Sequence, residues 1–309
     1  MAALAGKLGA VYNNYSGTDK SKLIADFQDD ETWTSGAGTQ ADDATNFRLG
    51  TESIRITSTA DILLYSDQNS ASFNLDEFED TSASDSADYI YAVFYVSDST
   101  KVASVLIGFD ADATYDGTNA YSYTITSVVD GWNYVKVKKS AFSSTGSPDW
   151  ASIDSIRVGW TGQSTSTGAY VSFQALYLVD DAYDLILSNN TAYTMEAISL
   201  FYNWSVDENT NLVESTSFDD EGWQSSVATV NQFTVTNEKY WVNGDYLTSL
   251  GTDVILLLYI STTSGYRHEG TAKLETDSIN TSVTELVNES LNFRGEGELY
   301  YTALQIIDS

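Results

Sequence analysis

The stretch NQFTVTNEKYWVNGDYLTSLGTDVILLLYI (residues 231–260) decides the fold of the chain. Its first part alternates apolar and polar residues, which predicts a half-buried strand. Its last part, VILLLYI, is apolar throughout, which predicts a strand buried on both faces of a sheet. Between them, Asn243 suits the N-cap of a short helix, and Gly251 suits its left-handed C′ position. The stretch therefore predicts a β domain with one short helix.

The flanking segments extend this domain. LVNESLNF (residues 286–293) alternates, and the alternation puts Asn288, Ser290 and Asn292 on one face. The opposite face carries Val287, Glu289, Leu291 and Phe293. Residues 207–229 are acidic and rich in Asn, Ser and Gly, so we predict a long loop there. Such a loop usually has a function.

Residues 23–179 have the pattern of a second all-β domain. SIRITSTADILLYS (residues 53–66), ADYIYAVFYVSD (residues 87–98) and AYVSFQALYLV (residues 169–179) predict short strands. Turns rich in Gly, Ser, Asp and Asn separate them. Short strands at regular spacing predict an antiparallel sandwich.

Composition limits the possible functions. Lys and Arg number 14 against 44 Asp and Glu, a formal net charge of -30, which repels nucleic-acid phosphate. The chain has no cysteine and one histidine, which excludes disulfides, thiolate sites and multi-histidine metal sites. No apolar run has the length of a membrane span or secretory signal, so we expect synthesis in the cytoplasm and no membrane contact. We interpret the acidity mainly as adaptation to high salt, and a channel lining that must not hold DNA is compatible with it.

Three motifs resemble the tail tube, or major tail, protein of long-tailed viruses of bacteria and archaea. They are TSFDDEGW (residues 216–223), GDYLTSLG (residues 244–251) and FRGEGEL (residues 293–299). The opening MAALAGKLGAVY also resembles that family's first strand. The resemblance implies a virion protein whose hexameric rings stack into the conduit for DNA ejection. It implies as partners further copies of the chain, tail tip and tail terminator proteins and the tape measure protein, while DNA passes without specific binding.

The residues between the two parts of this resemblance form an insert. ADFQDDETW (residues 25–33), VDGWNYVKVKKSAF (residues 129–142) and DWASIDSIRVGW (residues 149–160) resemble a jelly-roll carbohydrate-binding module. We therefore expect a tail tube β-sandwich from residues 1–19 and 183–309, with an inserted jelly-roll domain, residues 20–182, on the tube exterior. In that family acidic residues of the first and last strands often hold calcium. Here Gln28 and Ser172–Phe173 take those places, which argues against that site.

The tube hypothesis assigns roles to two sets of residues. In the predicted loop, the resemblance implies contacts between rings or subunits by Thr216, Phe218, Asp219, Asp220 and Trp223. A lumen facing DNA suits carboxylates and amides better than lysine clusters. The lumen candidates are Glu269, Glu275, Asp277, Asn288, Ser290 and Asn292. The alternative for this second set is an ordinary solvated sheet face.

The insert offers candidate binding residues. Sugar rings stack on aromatic rings because both present flat apolar surfaces. The glycan-binding candidates are Trp33, Trp150, Trp160 and Tyr170, and the wider set adds Tyr65 and Trp132. The alternative is core packing, which we favour for Trp132 because it follows a turn glycine.

An acidic segment of the insert is a candidate cation site. Asp110, Asp112 and Asp116 offer carboxylates for a structural Ca²⁺ or Mg²⁺, although their spacing is not that of an EF-hand. The alternative is a solvated acidic hairpin, and we expect no cofactor.

Two other classes of function remain as alternatives. The first alternative is a carbohydrate-binding or adhesion protein that forms no tube, and the lack of a signal-peptide pattern argues against it. A polysaccharide-active enzyme is the second alternative. No acid pair or serine elbow stands out, and we expect His268 to be solvated beside Arg267 and Glu269. We therefore predict no catalytic site.

The charge predicts that stability rises with salt. Compaction brings like charges together, and added ions screen their repulsion over a Debye length of ~10 Å at 0.1 M. We expect the melting temperature to increase from low salt to molar KCl, measured by circular dichroism. A flat or falling melting temperature would contradict the halophilic interpretation.

Overall fold

A computed structural model describes most of the chain. The described residues are 8–13, 20–28, 33–48, 50–58, 63–69, 72–76, 78, 88–163, 166–180, 184–186, 191–193, 201–214, 226–242, 246, 250–261, 266–281 and 286–307. Strands account for 63% and helix for 3%, and the sheets are largely antiparallel. The all-β, sandwich-like fold predicted from the sequence is therefore confirmed.

Within the described ranges the secondary structure consists of 21 strands and short 3-10 turns. The strands are β1 (Leu8–Asn13), β2 (Ser21–Ala25), β3 (Thr34–Ala37), β4 (Thr39–Asp42), β5 (Ile54–Thr57), β6 (Leu63–Gln68), β7 (Tyr89–Val96), β8 (Val102–Asp110), β9 (Ala120–Ile125), β10 (Gly131–Lys138), β11 (Ser143–Ser144), β12 (Ser155–Gly162), β13 (Tyr170–Val179), β14 (Asp184–Ile186), β15 (Thr191–Tyr193), β16 (Phe201–Glu214), β17 (Ser226–Tyr240), β18 (Asp253–Ser261), β19 (Tyr266–Asn280), β20 (Asn288–Gly295) and β21 (Tyr300–Ile307). The 3-10 turns are Ser99–Lys101 and Lys139–Ala141. Across the described ranges, no helix has the length and apolarity needed to cross a membrane.

Contacts divide the chain into two compact units. Unit 1 comprises Met1–Thr18 and Ile186–Ala303, and unit 2 comprises Asp19–Leu185 and Leu304–Ser309. The assignment of a tube domain and an inserted domain, made from the sequence, stays a prediction. Each unit is described separately below.

Unit 2 is a sandwich of two sheets. One sheet contains the strands β10, β7, β13, β5 and β4 in that order, with β2 also paired to β13. The other has the order β11, β9, β8, β12, β6, β3. Alternate residues of each sheet point inward and form one apolar core. Its fully buried members include Ile54, Leu64, Phe94, Val105, Ile107, Phe109, Val135, Ile156, Trp160 and Val171.

Two glutamine side chains fasten a loop to the edge of this sandwich. Gln28 donates to the carbonyl of Glu52 at 2.7 Å and accepts from the amide of Thr51 at 2.8 Å. Gln174 donates to the same Glu52 carbonyl at 3.3 Å and accepts from the amide of Arg48 at 2.7 Å. Four hydrogen bonds of two side-chain amides thus satisfy backbone groups of this loop, and Gln28 takes one of the places where the family resemblance implies a calcium ligand.

Unit 1 is built on one mainly antiparallel sheet. Strands β16, β17, β20 and β19 follow one another, β19 also pairs with β18 and β21, and β18 pairs with β1. Strand β18 pairs with β1 and β19 and its residues 254–258 are all buried, as predicted for VILLLYI, whereas Tyr259 is half-buried and Ile260 is exposed. The core contains Phe233, Val235, Val254, Leu256, Leu258, Ala272, Leu274, Leu291 and Phe293.

The prediction of a loop over residues 207–229 was wrong at both of its ends. Strand β16 continues to Glu214 and β17 begins at Ser226, with paired residues from Phe201↔Lys239 to Glu214↔Ser226. Strand β17 pairs with β20 from Thr234 onward, so residues 208–214 and 226–233 pair with each other and with no further described strand. We call this two-stranded extension the ribbon. Seven residues at ~3.4 Å each make it roughly 24 Å long.

Polar cross-strand pairs hold the ribbon where apolar alternation is absent. Thr210 donates to Asn231 at 2.7 Å, and Gln232 donates to Asn209 at 2.8 Å. Each of these pairs joins two residues that lie directly opposite one another on β16 and β17. These amide and hydroxyl pairs explain why an acidic, Asn-rich sequence forms strand here.

Ion pairs are buried inside unit 1. Lys239 and Glu289, each about 1% exposed or less at the side chain, lie 2.9 Å apart on β17 and β20. Arg267 and Glu269, both fully buried on β19, are 2.8 Å apart, and Arg267 also donates to the hydroxyl of Tyr259 at 3.0 Å. The predicted alternation of β20 is confirmed, because Glu289, Leu291 and Phe293 are buried and their neighbours are half-buried.

Asp277 adds a second carboxyl group beside the Lys239–Glu289 pair. Both of its carboxylate oxygens are shielded from solvent and accept no hydrogen bond in the described part of the chain. Burial raises the pKa of Asp277, and the charge of Glu289 raises it further, with a partial offset from Lys239. Two neighbouring carboxyl groups repel each other when both are ionised, which favours the protonated form of Asp277.

We expect Asp277→Asn to stabilise the protein at neutral pH. The pKa of Asp277 is higher in the folded than in the unfolded chain. Its stabilising contribution to the free energy of unfolding is therefore fully present below the pKa of the unfolded chain. This contribution is lost as the pH rises through the pKa of the folded chain. The gain in free energy of unfolding at pH 7 should be up to about 1 kcal/mol, since the group is partly exposed. Denaturant unfolding from pH 3 to pH 8 measures it.

Asp207→Asn is the matched control for this experiment. Asp207 is an exposed residue of β16, so its replacement removes the same charge without touching the buried pair. An equal gain from both variants, or a gain from Asp277→Asn that does not grow with pH, would contradict the assignment.

Candidate functional site

One face of the first sheet of unit 2 carries aromatic residues instead of the usual polar ones. Register places Trp132 of β10 opposite Tyr95 of β7, Tyr95 opposite Ser172 of β13, and Ser172 opposite Arg55 of β5. Residues opposite one another across a sheet share a face. This row lies on the side away from the core, because the intervening residues such as Phe94 are core members.

The rings of this row contact one another and two arginines. The rings of Tyr95 and Trp132 meet edge to face at 5.6 Å, and those of Tyr95 and Tyr170 are stacked at 6.2 Å. The guanidinium of Arg48 lies 5.5 Å from the Trp132 ring centre, and that of Arg55 lies 5.3 Å from the Tyr170 ring centre. All five side chains are half-buried, so each keeps part of its surface open. We call these five residues the aromatic face.

Asp43 fixes the loop that borders the aromatic face. Its carboxylate accepts from Ser172 at 2.7 Å, from the side chain of Asn46 at 3.0 Å and from the amide of Thr45 at 3.0 Å. Burial opposes ionisation of Asp43, but these hydrogen bonds outweigh it and lower the pKa. Asn46 also donates to the hydroxyl of Tyr170 at 3.2 Å, so the charged Asp43 holds the loop and one ring of the face together.

Two lysines extend the same sheet face. Lys136 lies opposite Tyr91 and Lys138 opposite Tyr89, in the same alternation as Trp132. The ammonium of Lys136 is 4.2 Å from the ring centre of Tyr89, and that of Lys138 is 6.0 Å from it. Lys136 is largely buried, at 8% exposed, while Lys138 is half-buried. Each cation therefore sits over an aromatic ring, as the arginines do.

The aromatic residues proposed from the sequence have mixed positions. Trp33 is buried against Phe27 at 4.6 Å, Trp150 is buried and stacks on Tyr121 at 4.0 Å, and Trp160 is fully buried. The indole of Trp160 donates to the carbonyl of Ile56 at 3.0 Å. These three tryptophans are core residues, so the prediction that they form an exposed platform for sugar rings was wrong. Tyr170 alone of the four candidates lies on the aromatic face.

Sequence reasoning missed most of the aromatic face. Trp132 was interpreted as a packing residue, whereas it is half-buried on the face. Tyr95, Arg48 and Arg55 were not singled out, and the alternation YIYAVFYV of β7 is the signal that could have identified Tyr95. The sixth aromatic residue of the wider set, Tyr65, lies under the guanidinium of Arg157, 3.8 Å from its ring centre.

The three aspartates of the candidate cation site do come together. One carboxylate oxygen from each of Asp110, Asp112 and Asp116 lies within 4.8 Å of the others. Asp110 is buried and accepts from the amides of Asp112 at 3.0 Å and Gly117 at 2.8 Å. Asp112 and Asp116 are exposed. The cluster has the oxygen donors that a hard cation prefers, and its carboxylates also serve the local turn.

The polar face of the unit 1 sheet holds three of the lumen candidates. Asn292 accepts from Thr236 of β17 at 2.8 Å and donates to Thr276 of β19 at 2.8 Å. Ser290 and Asn288 follow at alternate positions of the same strand. Glu275 is exposed beside them, 3.8 Å from Arg294. Amides, hydroxyls and a paired carboxylate thus form a continuous polar surface across three strands.

The lysine on this face is paired as well. Lys273 lies opposite Arg294 and contacts both Asp253, at 3.1 Å, and Glu296. Hydrogen bonds with Glu296 and Asp253 raise the pKa of Lys273. Its charge is therefore countered locally, which reduces its attraction for a passing anion.

Two other lumen candidates and the histidine are placed differently from expectation. Glu269 is fully buried with Arg267, and Asp277 lies opposite Leu291 on the core side of the sheet. His268 is half-buried, its Nδ1 has no hydrogen-bond partner among the described residues, and its ring lies 5.2 Å from that of Tyr301. Burial lowers the pKa of His268, and Glu208 opposes this. The prediction that His268 is solvated beside Arg267 and Glu269 was therefore wrong, because His268 is half-buried and both neighbours are fully buried.

Strand β17 connects two unusual ends of unit 1. At its first end stands the ribbon. Near its other end lie six exposed apolar or aromatic side chains, which we call the end patch. They are Tyr202, Tyr240, Trp241, Val242, Ile279 and Leu286. Their exposure runs from 37% for Tyr240 to 68% for Leu286. The rings of Tyr202 and Tyr240 contact each other at 4.9 Å, and exposed apolar groups of this kind can mark contact sites for other molecules.

A groove of about 810 Å³ lies at the base of the ribbon. Glu208 and Gln232 of the ribbon line one side, Glu298 and Leu299 line the other, and Phe233 contributes an aromatic wall. Gly295 lies so close to Phe233 that a Cβ atom there would meet the ring at 2.3 Å. The mixed polar and apolar lining suits a peptide segment.

Some predicted residues fall outside the described part of the chain. Thr216, Phe218, Asp219, Asp220 and Trp223 do so, as does most of the predicted helix over residues 244–251 with its cap Asn243. Gly251 is described and has φ +76°, the left-handed conformation expected for it.

Comparisons with known proteins gave distant likenesses. No family model and no curated protein matches the chain. The tail of an empty gene transfer agent particle, with C6 symmetry, is similar at TM-score 0.30 and 14% identity, over 36% of this chain and 88% of that chain.

Two carbohydrate-related structures are similar at the same level. The family 11 carbohydrate-binding module from Clostridium thermocellum, in complex with a β-1,3-1,4-mixed-linked tetrasaccharide, has TM-score 0.36 and 15% identity, over 53% of this chain and 97% of that chain. The glycoside hydrolase domain of Endo-D from Streptococcus pneumoniae R6 has TM-score 0.34 and 11% identity, over 84% of this chain and 36% of that chain. At TM-scores this low the likenesses carry no functional argument.

Proposed function

We propose that the chain is a structural subunit of a viral tail tube, and that its rings, of six copies as the sequence resemblance implies, stack head to tail. This proposal rests on one observation: strand β17 runs from the ribbon at one end of unit 1 to the exposed end patch at the other. A two-stranded ribbon is marginally stable alone, so it gains from a neighbour that covers it. Contacts between unlike ends of identical subunits generate stacks without limit.

The polar face of β17, β20 and β19 suits a channel for DNA. Its amides and hydroxyls offer no net positive charge, and the cations Lys273 and Arg294 lie beside acids. A surface that neutralises few phosphates binds DNA weakly, which lets the DNA slide. In this proposal Asn288, Ser290, Asn292 and Glu275 face the lumen, and unit 2 decorates the tube exterior.

We expect Trp241→Ser combined with Leu286→Ser to abolish stacking. Replacing two exposed apolar side chains of the end patch removes the surface that would bury against the next ring. The wild type should form rings or tubes in negative-stain images and large species in light scattering, while the variant should stop at single rings or monomers.

Val129→Ser is the matched control for stacking. Val129 is an exposed apolar residue of unit 2, at 51% exposed, and lies outside the end patch. A wild type that stays monomeric across salt and protein concentration would overturn the tube proposal. Loss of assembly in the control as well as in the test variant would contradict the specific role of the end patch in stacking.

The aromatic face favours a second role for unit 2, the binding of a glycan. Three rings with part of their surface open, held in place by Asp43 and the two arginines, form a platform on which sugar rings can stack. Hydrogen-bonding groups such as Asn46 lie at its border. On the tube exterior this platform would meet polysaccharide at a cell surface. We assign unit 2 a binding role and no catalytic step.

We expect Trp132→Ala and Tyr95→Ala each to weaken glycan binding at least about tenfold, a loss of ~1.4 kcal/mol. Affinity electrophoresis of the full chain in gels that contain soluble polysaccharides measures this. Tyr301→Ala, which removes an exposed tyrosine of unit 1, should leave the binding unchanged. Retention of binding in both face variants, with circular dichroism showing intact fold, would overturn this role.

A further inference from the structure

We propose that the aromatic face takes an acidic polysaccharide, one whose sugar rings carry carboxylate or sulfate groups; this inference rests on the glycan-binding role proposed above. The ligand class follows from where the chain places its few cations. Aromatic rings alone would suit any sugar, whereas cations over those rings favour a charged one.

Positive charge is concentrated on this sheet face. The chain has 14 Lys and Arg residues against 44 Asp and Glu. Four of those basic residues, Arg48, Arg55, Lys136 and Lys138, lie over aromatic rings of this one face. In a chain of net charge -30, a local excess of cations is a specific feature that general solubility does not require.

Arg55 is the cation placed for a ligand on the aromatic face, and Lys138 lies further along the same sheet face. Arg55 and Lys138 are half-buried and form no ion pair with any residue that the structure describes. The planar guanidinium of Arg55 presents paired N–H donors that match a carboxylate or sulfate. Because Arg55 lies against the ring of Tyr170, a sugar stacked on that ring would bring its acidic substituent to the guanidinium.

The nearby acids do not cancel this charge. Asp43 is 1% exposed, and its oxygens accept from Ser172, Asn46 and Thr45, so it faces the loop. Asp130 accepts from the amide of Ser99 at the border of the face. Burial raises the pKa of Tyr95, and the charges of Tyr170, Asp43 and Asp130 raise it further.

The row is long enough for several sugar rings. Trp132, Tyr95, Ser172 and Arg55 lie on four successive strands. Strands are ~4.8 Å apart, so the row spans roughly 14 Å. This length suits a polysaccharide segment and exceeds a single sugar.

The test compares polymers that differ in charge. The full chain is titrated in ~0.15 M NaCl, a salt at which the Debye length is ~8 Å, with carboxymethylcellulose against hydroxyethylcellulose and dextran sulfate against dextran. We expect at least about tenfold tighter binding to the acidic member of a pair, and weaker binding as salt increases. The double variant Arg55→Gln with Lys138→Gln should lose this preference.

Lys101→Gln is the matched control for the double variant. Lys101 is a half-buried lysine of unit 2, paired with Asp98 at 3.3 Å, and is not one of the four cations of this sheet face. It should keep the preference for acidic polymer. Polyglutamate, an anionic polymer without sugar rings, should bind at least tenfold more weakly than the acidic polysaccharide.

The remaining outcomes overturn separate parts of the proposal. Equal binding of acidic and neutral polymers would overturn the acidic ligand and leave the glycan role in place. Binding to none of the polysaccharides would overturn the glycan role itself. Binding of polyglutamate as tightly as of the acidic polysaccharide would overturn sugar recognition in favour of simple charge attraction.

Discussion

Buried ion pairs join separate segments of the chain in both units, and the surrounding structure depends on their remaining intact. Lys139 contacts Asp76 at 2.7 Å in unit 2, and Lys239 contacts Glu289 at 2.9 Å in unit 1. Removing one partner of such a pair costs about 3–5 kcal/mol, because the other charge is left unpaired in the interior. A one-residue slip of β17 or β20 would point Lys239 or Glu289 to the opposite face. The pair therefore fixes the strand register that builds both the polar face and the end patch.

The sequence predicted those parts of the fold that follow a local period. VILLLYI and the alternation of β20 were assigned correctly because each pattern is complete within one strand. The ribbon was assigned as a loop because its strands are stabilised across the ladder, by pairs such as Asn209 with Gln232. Such pairs become visible only when the partner strand is known. Likewise, the carboxylates of Glu269 and Asp277 looked like solvated groups until the strands beside them were placed.

The candidate site was less predictable for the same reason. Tryptophan is equally at home in a core and on a platform, and Trp160 is buried while Trp132 is open. What separates them is the face to which each residue points, and a bulge between Phe173 and Ala175 shifts that alternation within β13. The arginines that flank the rings come from residues 48 and 55, far in sequence from Trp132. Long-range pairing, and not residue type, creates the aromatic face.

The glutamine clamp of unit 2 has a consequence for where the protein can work. Gln28 and Gln174 hold the loop at Glu52 by hydrogen bonds whose strength does not vary with the concentration of free metal ions. A loop fastened by a bound cation would loosen whenever that cation was scarce or displaced by another. The same loop carries Arg48 to the aromatic face. The position of Arg48 on that face thus rests on hydrogen bonds of the chain itself.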